Sequence, residues 1–146
     1  MKRYLGRAYP GWGIVDLPDL LDRDRGLWIR DEGPKCPGVA MGGFKDFGKP
    51  AYAVLLTRGK RGEREEMIVV MTSTPKGGVD ATIAAKPTRV TRANVLVKLS
   101  GGKYQSFEGP ECLETGLDVF MHQSIEAWAR VYAWNGRRFV SVTVSD

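Results

Sequence analysis

Apolar residues along this chain fall in short runs separated by polar stretches that carry glycine or proline. AVLL within Ala51–Thr57 and MIVVM within Glu66–Ser73 are the most continuous runs. Unbroken apolar character over so few residues is the pattern of strands buried on both faces. The polar stretch RGKRGERE between them reads as a hairpin loop. Val39–Phe44 predicts a further strand, with weaker ones near 81–86, 94–99 and 104–107. Gly77-Gly78 and Gly101-Gly102 mark turns between them. The 18 glycines and 8 prolines punctuate the chain throughout, which favours many short strands over long helices.

The C-terminal segment alternates strictly. Asn135-Gly136 predicts a two-residue hairpin turn, because both residues tolerate positive φ. Folding there sets Tyr132 opposite Phe139, Val131 opposite Val140 and Ala129 opposite Val142. Valines and alanines then share one face, with Trp128, Tyr132, Phe139 and Thr143 on the other. A competing helix over SIEAWARVY, capped by Ser124, is disfavoured by the β-branched and aromatic residues near the turn. The clearest helix is Asp16–Arg25: Asp16 serves as cap, Pro18 fits the first turn and Gly26 ends it. LWIR then begins a strand. The expected fold is one domain over residues 1–146, all-β or β-rich α+β. Antiparallel sheets form a sandwich or partly open barrel with a short N-terminal helix.

Composition adds bounds. The chain has 146 residues, 42% hydrophobic and 27% charged, within the range of a single globular domain. No run approaches the roughly 18 apolar residues of a membrane helix, so no membrane span is expected. The start, MKRYLGRAYPGWG, lacks the apolar core of an intact signal peptide. That leaves a cytosolic protein, or an exported one whose signal has been removed. The formal net charge of +5 is spread in short groups interrupted by acids, not gathered into one stripe. An acidic protein partner fits that distribution better than nucleic acid, and no nucleic acid is expected. Cys36 and Cys112 form no CxxC pair. They read as one disulfide closing a long loop in an oxidising compartment, against two buried thiols.

One stretch resembles a known repeat. In residues 39–56, VAMGGFKDFGKPAYAVLL, Gly42, Phe44, Gly48 and Lys49-Pro50 followed by Ala53-Val54-Leu55-Leu56 resemble the FG-GAP or VCBS-type pattern. In that pattern the loop's aspartates bind calcium. Here those positions hold Gly43, Lys45, Phe47 and Ala51, and Asp46 falls where the pattern has glycine. Calcium takes six to eight oxygen ligands, several of them charged. One carboxylate between two lysines does not supply them, so no cofactor is expected. The ending also resembles small exported bacterial proteins at Tyr132, Trp134, Asn135, Gly136, Phe139, Ser145 and Asp146. That resemblance implies a periplasmic or secreted location and no particular reaction.

No phosphate loop and no nucleophile elbow occurs. His122 is the only histidine. Hydrolysis through His122 with the acidic stretch from Glu108 to Asp118 is one functional reading. The loop Ser100-Gly101-Gly102-Lys103-Tyr104 faintly resembles the serine loop of periplasmic lysozyme inhibitors. Ser100, Lys103 and Tyr104 are therefore candidate binding residues, as are Trp128 and Trp134, since aromatic side chains anchor interfaces and stack on sugars. The expected function is a non-enzymatic extracytoplasmic protein that engages another protein, in one form an inhibitor or immunity-type protein against an envelope hydrolase. A carbohydrate- or peptidoglycan-binding module and a hydrolase are the alternatives.

Overall fold

The computed structural model describes all residues, 1–146. Two helices come first, α1 (Lys2–Ala8) and α2 (Asp22–Glu32), with β1 (Gly13–Ile14) and a 3-10 turn at Leu17–Asp19 between them. Ten strands follow: β2 (Val39–Gly42), β3 (Ala51–Arg58), β4 (Arg64–Ser73), β5 (Val79–Val90), β6 (Val95–Leu99), β7 (Gly102–Gln105), β8 (Cys112–Thr115), β9 (Val119–Gln123), β10 (Ala129–Trp134) and β11 (Phe139–Ser145). All pairing is antiparallel. The expected β-rich class, antiparallel sheets and short N-terminal helix are what the chain adopts.

The first sheet runs β1-β3-β4-β5, with β2 pairing the other end of β3. The second runs β11-β10-β9-β6, and β7–β8 form a separate hairpin. On one side the sheets meet: the Leu96 N–H of β6 donates to Pro37 O at 2.8 Å. On the other side β5 and β11 end their sheets and do not pair. The result is a barrel left open along one seam.

Phe44, Leu55, Ile68, Leu96, Phe120 and Tyr132 fill the space between the sheets. Phe44 stands edge-on to Phe120 at 5.3 Å, and Phe120 stacks on Tyr132 at 5.3 Å. Burying a side chain such as Phe44 stabilises by about 2–3 kcal/mol over leaving it in water. Leu5 of α1 covers the outer face of the first sheet at Val54, Val69 and Met71. Tyr104 and Leu113 of the β7–β8 hairpin cover the second at Val119, Val131 and Val142.

Three sequence expectations need correction. The helix expected over 16–25 is divided. Asp16 does cap a turn, accepting from the Leu17 N–H while its own N–H donates to Asp19, but that turn is 3-10 and ends at Asp19. The α-helix starts at Asp22, passes through Gly26 and includes Leu27–Arg30, because Trp28 packs inward on the core. It ends at Gly33, whose φ of 74° suits glycine.

The C-terminal hairpin keeps its faces but shifts its register by two residues. Trp134 pairs with Phe139, Ala133 with Val140 and Val131 with Val142. Asn135 Oδ1 accepts from the N–H groups of Arg137 and Arg138, both at 2.9 Å, so the loop spans four residues. A shift of two preserves the alternation, since side chains repeat every second residue. Residues 124–128 form a turn before β10, with Glu126 at φ 58°.

The expected disulfide is absent. Both cysteines are free: Cys36 is half-buried and its thiol donates to Val15 O at 3.3 Å. Cys112 lies exposed on β8 of the separate hairpin, whereas Cys36 lies in the loop before β2.

Candidate functional site

The seam is latched at one end and open at the other. Lys45, in the glycine loop after β2, reaches across it. Its Nζ donates to Thr82 Oγ1 of β5 at 3.1 Å and lies 3.5 Å from Asp80. The same ammonium sits 4.6 Å above the Trp134 ring of β10. Beyond this latch β5 departs from β4. Register shifts between Glu66 and Val69 give β5 extra residues around Ala84, Lys86 and Pro87. Bulges bend a strand and re-aim its side chains, and proline is tolerated at one because no ladder N–H is needed there. The bent half of β5 overhangs a cleft of about 570 Å³ between the sheets.

The cleft's floor is a hydrogen-bonded set. Glu66 of β4 is buried and engaged at both oxygens: Oε1 accepts from the Asn94 N–H at 2.9 Å and Oε2 from Asn94 Nδ2 at 2.7 Å. His122 Nε2 stands 3.4 Å from the same Oε2. A carboxylate oxygen accepts, so the ring nitrogen facing it is the protonated one. The imidazole meets Trp128 edge-on at 4.9 Å. Arg130 lies directly opposite His122 in the ladder and joins it in lining the cleft.

The turn that carries Trp128 is tied from outside. Arg92 Nε donates to Ser124 Oγ at 2.8 Å and its Nη2 to Ile125 O at 3.1 Å. The buried carboxylate of Asp24 on α2 lies 3.7 Å from Arg92. Leaving either charge unpaired there would be costly, so the pair fixes α2 against the turn. The rim holds Lys86 and Arg89 of β5 with Arg130. None of the three forms an ion pair. Glu108 and Asp146 line the cleft as well.

The candidate residues named from sequence occupy three places. Lys103 and Tyr104 lie on β7 of the β7–β8 hairpin, and Ser100 lies in the turn just before it. Tyr104 OH donates to Ser100 O, and Lys103 faces Glu114 across the ladder. Gly101 lies against backbone, where a Cβ would sit 2.7 Å from Gly116 and Leu117 atoms. Trp128 lines the cleft, while Trp134 lies under Lys45 at the latched end. His122 meets Glu66, not the stretch from Glu108 to Asp118. Glu66, Asn94, Arg92 and Arg130 escaped the sequence reading. They come from β4, the β5–β6 connector and β10, with no shared spacing, and only the alternation of β10 carried a trace of Arg130's orientation.

The residues of the glycine loop make contacts of other kinds. Of the four positions where the repeat pattern places aspartates, Gly43 donates its N–H to Asp118, Lys45 latches the seam, Phe47 is exposed and Ala51 is buried. No group of three or more His, Cys, Asp or Glu side chains is placed to hold a metal ion. No helix is long and apolar enough to cross a membrane. Compared with known protein families, curated proteins and solved structures, the chain matches none.

Proposed function

We propose that this chain is a binding module that engages another protein, and that the engagement takes place at the open seam. The observation that carries the reading is β5. It has twelve residues, it pairs only with β4, and none of its residues is buried. An exposed sheet edge is a template for an added strand: main-chain hydrogen bonds supply affinity, and pockets for alternate side chains supply specificity. The cleft beneath the bent half of β5 is such a pocket. An extracytoplasmic inhibitor or immunity-type protein acting on an envelope hydrolase is the specific form of this reading, and the basic net charge supports an acidic partner.

A photo-reactive side chain placed at Thr88, on the rim of the cleft, tests the site. The same group at Lys103, on the β7–β8 hairpin, is the control. A partner from envelope extract should cross-link through position 88. Cross-linking through 103 alone would move the interface to the hairpin and end the seam reading.

The floor of the cleft favours a second reading, hydrolysis. Glu66 orients His122, and the imidazole's Nδ1 has no protein partner. That arrangement suits a general base. Replacing His122 with alanine in a substrate-panel assay decides it, because unchanged activity removes the residue from any chemistry.

A further inference from the structure

We infer that the segment taken at the seam is an extended acidic one, with a carboxylate seated among Lys86, Arg89 and Arg130; this rests on the protein-binding reading above. The charges around the cleft sort into engaged and free. Glu66 is engaged at both oxygens by Asn94 and His122. Arg92 is engaged by Asp24, Ser124 and Ile125. Three cations are left at the rim without ion pairs, while Glu108 and Asp146 line the cleft from the loop after β7 and the end of the chain. Counting side chains, these three cations outnumber the two carboxylates by one, and the three lie beside an edge whose backbone is open.

The same residues select against the other obvious occupant, a second copy of this chain. Edge strands resist self-pairing by carrying lysine and proline, and β5 carries Lys86, Pro87 and Arg89. Pairing β5 with another β5 would bring like charges together, whereas an acidic strand neutralises them. The Lys45 latch confines the occupant to the half of β5 beyond Thr82. Pro87 supplies no N–H, so the added ladder is interrupted there. A carboxylate held by the flanking cations compensates for the missing bond.

The test uses three labelled peptides of about eight residues, a common strand length, alternating threonine with glutamate, serine or lysine. Fluorescence anisotropy reads affinity, and amide hydrogen exchange over residues 79–90 reads location. The glutamate peptide should bind and protect β5. Its affinity should fall roughly tenfold or more with Arg89→Glu or Arg130→Glu, and should weaken as salt rises. Arg89 is exposed on the edge strand, so its variant serves if the Arg130 variant loses its fold. If the serine peptide protects β5 as well as the glutamate one does, the acidic preference is wrong and the seam reading stands. If no peptide protects β5, both fall. If the glutamate peptide binds without protecting β5, or ignores both charge reversals, the assignment to this site is overturned.

Discussion

The Gly43 N–H donates to Asp118 Oδ2 at 2.9 Å, joining residues 75 positions apart. The carboxylate that steadies the glycine loop comes from the entry to β9 and not from the loop itself. Space explains the glycines: a Cβ on Gly42 would stand 3.0 Å from both that oxygen and the Phe44 ring. Lys98 lies 3.7 Å from the other carboxylate oxygen. Asp118→Ala leaves the amide without its acceptor and should destabilise by about 1 kcal/mol, the site being partly solvated. Asp118→Asn keeps an acceptor and should cost less. Urea unfolding of both variants measures the difference, and equal losses would show that the acceptor is not what matters.

Lys45 should matter beyond its place in a loop. Lys45→Ala removes the bond to Thr82 and the cation over Trp134. The expected loss is about 1–2 kcal/mol, with tryptophan fluorescence shifting as the Trp134 ring gains water. Unchanged fluorescence and stability would mean that the seam is not latched there.

The two thiols should differ in reactivity. Burial pushes the Cys36 thiol up from its ordinary range, with Asp16 and Asp19 adding to the rise and a Gly38 hydrogen bond and Lys2 opposing it. The thiolate is the nucleophile, so Cys36 should alkylate slowly in the folded chain while exposed Cys112 reacts first. Intact mass should show two labels after unfolding without reductant. A chain that takes label only after reduction would be bridged, contrary to the structure.

Tyr132 sets an alkaline limit. Burial raises its phenol above the usual tyrosine range, and neighbouring Arg130 opposes this less strongly. The folded chain therefore holds a proton that the unfolded chain releases near pH 10. Stability from this burial is complete below about pH 10 and declines as pH rises toward the folded-state value. Burial raises Tyr9 in the same direction, with Tyr4 adding to it. Urea midpoints at about pH 8 and about pH 11 should differ less in Tyr132→Phe than in the parent chain. An equal difference would remove Tyr132 as a cause.

Much of the architecture was legible because its signals are local. Apolar runs such as MIVVM gave β4, and the alternation of the last segment gave the faces of β10 and β11. The register there was two residues off because Asn135 folds back on Arg137 and Arg138, closing a longer loop than the Asn-Gly pair implies. Gly26 reads as a helix stop in the sequence, whereas Trp28 packing carries α2 through it. The cleft was hidden for a different reason. Asp24, Glu66 and His122 belong to separate elements and Arg92 and Asn94 to the connector between β5 and β6, and only the tertiary fold brings them together. Of the candidates named from sequence, Trp128, His122 and Glu108 lie in it.

Residue-resolved amide exchange on the unliganded chain tests the open seam most directly. The β5 amides not bonded to β4, above all those beyond Thr82, should exchange far faster than those of β3 and β4. Uniform protection along Val79–Val90 in the free protein would mean that the edge is already occupied, and would contradict the account.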